Sequence, residues 1–311
     1  MSHRVVVVGS YNRDMVLRTR RIPRPGETVI GGSFSSGHGG KGANQAVAAA
    51  RAGATVAFIG QVGDDAFGED ASLALTAERI DTRHLLRHPS SPTGTAWILV
   101  DDRGENSIVV ASGANADLSA ADICSVKNII ASADILLLQL ESPLDAVRAA
   151  METAVQHSVT VVLNPAPACP LPHDFLRSAT ILTPNEVETE MLTGIPVTDD
   201  DRLGLAADAL LEKGVRTAII TLGARGAYVA TGSDRELIPG FEVTPVDTTA
   251  AGDVFNGVLA AFLSTGCTVS EAVRAGNAAG ALCVMRRGAQ QAVPTLAEIR
   301  TALASLPLTT V

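Results

Sequence analysis

Residues 5–10 read VVVVGS, four valines that end on a Gly-Ser pair. A run so short and so apolar, closed by turn residues, predicts a strand buried on both faces, as in a parallel sheet. Similar runs recur at 55–59, 135–138, 160–163, 180–182 and 217–221. Helical patterns fill 43–52, 66–79, 143–157 and 200–213 between them, and three more follow at 252–264, 270–286 and 295–305. Alternating strands and helices predict an α/β chain whose mainly parallel sheet is covered by helices on both faces. Two stretches, 15–37 and 93–111, break this rhythm. The second contains TGTAWILVDDRGENSIVV with a turn at Asp102-Arg103-Gly104, the pattern of a β-hairpin. Such pieces fit either a small separate sheet, a candidate lid, or two ordinary edge hairpins.

The 311 residues contain no internal repeat and no low-complexity linker. Hydrophobic content of 46% against 18% charged residues describes a packed globular chain, and 3% aromatics require a core of Ala, Val, Leu and Ile. A formal charge of −9 speaks against a nucleic-acid or anionic-membrane binder, since those partners call for a basic field. It leaves open an anion held by local amides and one or two cations. Cys124, Cys169, Cys267 and Cys283 have neither zinc-site spacing nor a disulfide framework. The opening MSHRVVVVGS is too short for a signal peptide, and no run approaches the roughly 18 apolar residues of a membrane span. A soluble, cytoplasmic protein with reduced thiols is expected.

Several stretches could carry chemistry. GHGGKGANQAVAAARAG at 37–53 fails the nucleotide phosphate-loop pattern, because Ser35 stands where its first Gly belongs and Gly42 follows Lys41. It remains a ligand loop or a helix-entry turn, with Lys41 and Asn44 as polar contacts. Asn12 and Asp14 follow the first strand, where open α/β sheets bind ligands, although both are also good turn formers. Glu141 and Asn164 occupy comparable places after later strands. Asn185 and Glu188, three apart at a helix start, suit either reciprocal capping or a water-rich magnesium site. TLGARG at 221–226 suits a nucleotide lying along backbone or a plain turn. His84 and His88 could share a helix face, yet no third ligand stands near them. Cys283 and Arg286 fit core packing and compensation of a helix dipole.

DTTAAGD at 247–253 runs straight into the apolar helix VFNGVLAAFLSTG. The free N–H groups of a helix start bind anions, and the small residues keep side chains out of the way. An acid beside that anion is electrostatically poor unless it takes a proton from a neighbouring hydroxyl. Asp253 is therefore either a general base or a simple complement to the helix dipole.

In this order and spacing, GSYNRD at 9–14, GGKGANQA at 39–46, GDDAFGED at 63–70, QLESP at 139–143, NPAPA at 164–168, TPNE at 183–186, TLGARG, DTTAAGD and MRRGAQQAVP at 285–294 resemble the ribokinase-like family of sugar and nucleoside kinases. The likeness covers essentially the whole chain. It implies a three-layer fold with a β-sheet lid formed by segments near 11–37 and 93–111. It implies a sugar site of Asn12, Asp14, Gly40, Lys41, Asn44 and Glu141, with Asp253 as catalytic base. The amides of Ala250, Ala251, Gly252 and Asp253 would receive the γ-phosphate. Asn185, Thr221, Gly223, Arg225, Gly226, Gly252 and Asn277 would face ATP, and Glu188 would organise Mg2+ through water.

The resemblance also implies a potassium site of Asp247, Thr249, Cys283, Arg286 and Gly288, built largely from backbone carbonyls. Here the chain departs from the family, with Ala292 where a Ser often supplies a last oxygen. It also carries Ala-Ala-Gly-Asp where many relatives have Gly-Ala-Gly-Asp. The lid implies a homodimer. The expected reaction moves the γ-phosphoryl of MgATP to the primary 5-hydroxyl of a pentose, D-ribose above others. Two alternatives stand beside it: a kinase of the family acting on deoxyribose, another sugar or a nucleoside, and a sugar-binding relative without catalysis.

Overall fold

The valine run forms β1 (Arg4–Val8), and Val5 to Val8 have no exposed surface. Its side chains alternate between two cores, Val5 and Val7 in one, Val6 and Val8 in the other. That division is what a strand between two helical layers requires. The computed structural model describes residues 4–232 and 234–309. After β1 come β2 (Asn12–Arg18), β3 (Phe34–Gly39), α1 (Lys41–Arg51), β4 (Thr55–Gly63), α2 (Ala66–Ala77) and β5 (Asp81–His88). The hairpin of β6 (Thr95–Val100) and β7 (Asn106–Ala111) leads to α3 (Ala120–Ser125) and α4 (Lys127–Ala131). Alternation resumes with β8 (Ile135–Leu138), α5 (Leu144–Gln156), β9 (Thr160–Leu163), α6 (His173–Ser178) and β10 (Ile181–Leu182). Two helices, α7 (Glu186–Thr193) and α8 (Asp200–Glu212), precede β11 (Thr217–Thr221), β12 (Gly226–Thr231) and β13 (Asp234–Pro239). The remaining helices are α9 (Ala251–Ser264), α10 (Val269–Val284) and α11 (Leu296–Ser305).

Among the described residues one sheet has nine strands, in the order β13-β12-β11-β10-β9-β8-β1-β4-β5. Pairing is parallel from β5 through β11, and β12 and β13 add an antiparallel edge. The chain moves from β1 to β4 and β5 on one side, then resumes at β8 on the other. The strand order therefore reverses between β1 and β8, the kind of switch point at which α/β sheets bind ligands.

One face is covered by α1, α9 and α10, the other by α5, α6 and α8. α1 and α9 touch closely at Gly257, where a Cβ would stand 2.4 Å from Gln45 O and 2.6 Å from the Ala48 Cβ. The four remaining strands form a second sheet in the order β3-β2-β6-β7. The long β2–β3 connection, residues 19–33, is irregular rather than strand throughout. Residues 81–88 form a strand, so His84 and His88 share no helix face, and His88 Nδ1 instead accepts from Ser91 N–H at 2.8 Å.

Candidate active site

The loops leaving β1 and β8 meet above the switch point. Ser10 Oγ donates to Glu141 Oε2 at 2.5 Å, and the Lys41 N–H donates to the same oxygen at 2.9 Å. One carboxylate oxygen thus joins both loops to the start of α1. Gly40, just before that helix, has φ 88, and a Cβ there would stand 2.7 Å from the Asn12 nitrogen. Only glycine lets the two segments approach so closely. The buried Asn12 side chain accepts from Asn115 Nδ2 at 2.9 Å, and Asn115 also holds both the N–H and the carbonyl of Tyr11.

α9 opens on Ala250 in the left-handed conformation, φ 61 and ψ 6, and no side chain caps it. Its first-turn acid, Asp253, is 6% exposed. Asp253 Oδ2 accepts from Asn44 Nδ2 at 3.0 Å and Oδ1 from Gln45 Nε2 at 3.1 Å. Burial raises its carboxyl above the usual range, and Lys41 and the two amides pull against that rise. Asp14 is pushed up to about 7, first by burial, then by the charges of Glu141 and Asp253. Burial alone would lower the Lys41 ammonium, but Asp253, Glu141 and Glu188 hold it above its ordinary value. Asp14, Asp253, Glu141, Glu188 and Lys41 thus share a poorly solvated space in which, among the described residues, neither Asp14 nor Asp253 receives a hydroxyl donor. Asn44 Oδ1 is buried there without a partner. A polyhydroxylated ligand supplies what is missing.

On the other side of the same helix turn lies a cavity of about 390 Å3. Ala251 and Gly252 line it, with Thr221, Gly223, Gly226 and Asn277 from neighbouring elements. Phe241 and Phe255 make part of its wall apolar. Asn277 Nδ2 donates to the carbonyls of Ile238 and Pro239 at 3.1 and 3.2 Å, joining α10 to β13. Two of the residues expected to face ATP do not line this space. Asn185 caps α7, its Oδ1 accepting the Glu188 N–H while Glu188 Oε2 accepts the Asn185 N–H, both at 2.8 Å. Arg225 turns away to Glu186 and Asp200. Asn185 nonetheless lies beside the cavity, bridged in parallel to Thr221. Glu188 is buried, which raises its carboxyl, and its Oε1 has no partner among the described residues.

Behind the turn, Asp247 Oδ1 accepts from the Thr249 N–H at 3.0 Å and its hydroxyl at 2.6 Å. Asp247 Oδ2 accepts from the Gly288 N–H at 3.0 Å. The buried Cys283 thiol donates to the Thr249 carbonyl at 3.7 Å, and burial pushes it up to about 12 with help from Asp247 and Asp253. Arg286 directs its guanidinium to Glu298, and Ala292 is fully buried. Among the described residues, no group of three or more His, Cys, Asp or Glu side chains is placed to hold a metal ion.

Residues 2–296 match the family model for pfkB family carbohydrate kinases. The chain belongs to this family. A ribokinase of Haemophilus influenzae is 45% identical over 96% of the chain and 97% of its own length. A deoxyribokinase of Salmonella typhi is 36% identical over 94% of the chain and 96% of its own. The solved structure of Arabidopsis thaliana ribokinase complexed with ribose and ATP superposes with a TM-score of 0.90 at 31% identity. That superposition covers 97% of the chain and 99% of the Arabidopsis protein. This pfkB chain places the start of α9 beside the cavity of about 390 Å3. Three polar residues at the site escaped the sequence reading: Gln45, Asn115 and Gln139. Gln45 and Gln139 lie inside the quoted motifs GGKGANQA and QLESP. Asn115 carries no signal at all.

Proposed function

We propose that the protein transfers the γ-phosphoryl of ATP to the 5-hydroxyl of D-ribose, giving D-ribose 5-phosphate and ADP. The observation that carries this reading is the first turn of α9. Gly252 faces the large cavity, while the next residue, Asp253, is held by Asn44 among the polar side chains on the opposite side. A donor on one side and a hydroxyl acceptor on the other meet across that turn.

The sugar is held by Asn12, Asp14, Gly40, Lys41, Asn44 and Glu141, the residues that converge above the switch point. Asp253 takes the proton of the 5-hydroxyl as its oxygen bonds to phosphorus and ADP departs. A carboxylate suffices as base because phosphoryl transfer is loose, so the proton is lost late. The N–H groups of residues 250–253 receive the charge on the transferring phosphoryl. ATP lies along Thr221, Gly223, Gly226, Gly252 and Asn277, with Asn185 and Arg225 at its margin. Mg2+ bound to the ATP would neutralise phosphate charge, with the free oxygen of Glu188 within its water shell. A monovalent cation, most simply K+, would be held by Asp247 and the carbonyls of Thr249, Cys283, Arg286 and Gly288, bracing the turn. The four-stranded sheet serves as lid and as the pairing surface of a homodimer. The setting is cytoplasmic; among the described residues no helix is long and apolar enough to cross a membrane.

A panel of D-ribose, 2-deoxyribose, fructose and adenosine with ATP, followed by ADP release and product mass, tests the reading. D-Ribose should exceed each competitor by about tenfold or more in kcat/KM. Preference for 2-deoxyribose would move the assignment to the deoxyribokinase relatives. Ribose binding without ADP release would overturn catalysis altogether.

A further inference from the structure

Below Asp253 runs a chain of amides that the reaction as described does not use. Gln45 Nε2 donates twice, to Asp253 Oδ1 and to Asn164 Oδ1, each at 3.1 Å. Gln45 Oε1 accepts from Gln139 Nε2 at 2.6 Å. Asn164 Nδ2 donates to the backbone carbonyl of Thr183 at 3.0 Å. Gln45 has no exposed surface, and Gln139 and Asn164 are 1% and 7% exposed.

A primary amide can present either its donor or its acceptor end, so a row of amides has two possible senses. Here the sense is set at a group that has no choice. The Thr183 carbonyl only accepts, so Asn164 must turn its NH2 toward it and its oxygen toward Gln45. Gln45 must then turn its NH2 toward Asn164, and the second hydrogen of that NH2 reaches Asp253. Gln139 completes the row by offering its own NH2, which leaves Gln139 Oε1 buried without a partner. An orphaned acceptor is costly, and a sense fixed by Thr183 accounts for it.

We propose that Gln45 is a positioning residue for the base, oriented through Asn164 and the Thr183 carbonyl, so that Asp253 always meets an N–H donor and stays ionised. The proposal rests on the reading of Asp253 as base. Charged and titratable groups face Asp253 from every side: Lys41 from α1, Asp14 from β2, Glu141 after β8, Glu188 from α7 and Cys283 from α10. Only Lys41 among them is a cation. The two amide N–H groups therefore supply a large part of what keeps a buried carboxylate charged.

The sign follows directly. The N–H of Gln45 stabilises the ionised form, so its loss raises the pKa of Asp253 and moves the acidic limb of kcat to higher pH. The test compares kcat–pH profiles of the parent, Gln45→Met, Gln45→Glu and Gln139→Met, with sugar binding measured by calorimetry. Gln45→Met removes the donor at similar size and should move the limb up by about one pH unit. Gln45→Glu faces Asp253 with an acid and should move it further. Gln139→Met loosens the amide without touching Asp253 and should move it less.

This order, with turnover recovering at high pH and sugar affinity within about threefold, supports the proposal. A pH-independent loss of kcat in the Gln45 variants, or limbs that stay with the parent, overturns it. Should Gln45→Met not fold, the limb of Gln139→Met alone decides. Asp253→Asn separates the two readings. If that variant keeps parental turnover, the base assignment itself fails. If turnover is lost while the Gln45 limb does not move, only the positioning role fails.

Discussion

Asp14 stands at pKa about 7 because burial, Glu141 and Asp253 all oppose its charge. Its ordinary value is 3.8, so between that pH and about 7 the folded state binds more protons than the unfolded state. Stability contributed by this residue therefore falls as pH rises through that window and stays low above it. Asp14→Asn removes the titration and should stabilise the ligand-free protein, by up to about 4 kcal/mol near pH 8 and much less near pH 4. The same change should raise KM for the sugar, because a carboxylate accepts two hydroxyls better than an amide. Urea unfolding at both pH values checks the first part, and an advantage equal at both would contradict it. Asp14 was readable because Asn and Asp after a buried strand are conspicuous. Gln45 was not: in an Ala-rich helix a glutamine looks like any solvent-facing position. Its side-chain partners Gln139, Asn164 and Asp253 lie 94, 119 and 208 residues later in the chain.

At the scale of elements, the distance between α1 and α9 sets the site. Asn44 and Gln45 sit on one helix, Asp253 on the other, and Gly257 lets the two backbones close. Gly257→Ala should force them apart, with a stability loss of about 1–3 kcal/mol. Turnover should drop by about tenfold or more, since a misplacement near 1 Å is costly when a base must meet a hydroxyl. Differential scanning calorimetry and steady-state kinetics on one preparation check both. A loss of stability with unchanged kcat would mean that the pair of helices does not set the base. The central parallel strands were readable because burial on both faces leaves uninterrupted apolar runs. β5 was not, since DTRHLLRH lies at the sheet edge, half exposed and charged. The switch point itself was not readable either, because spatial order of strands leaves no trace in their composition.

Across the whole molecule, six of the sixteen exposed large apolar side chains among the described residues lie on the small sheet. Phe34, Trp97 and Val109 are 61%, 56% and 67% exposed, and β7 is exposed along its whole length. The register pairs Leu17 with Phe34, and Trp97 with both Met15 and Val109. These side chains therefore lie on one face of the twisted sheet. An apolar face beside an unpaired edge strand is a surface for association unless something covers it. Asn12 and Asp14 alternate to the other face of β2, so pairing would steady the strand that carries two of the proposed sugar contacts. Sedimentation velocity at micromolar concentration should find a dimer. Trp97→Glu with Val109→Glu should give monomers, because two charges on each subunit would be buried without partners. If pairing steadies β2, those monomers should show a raised sugar KM, by about tenfold, with ATP KM close to the parent. A parent protein that sediments as a monomer throughout would remove the small sheet from assembly. A monomeric variant with parental sugar KM would leave it a dimer surface with no part in binding.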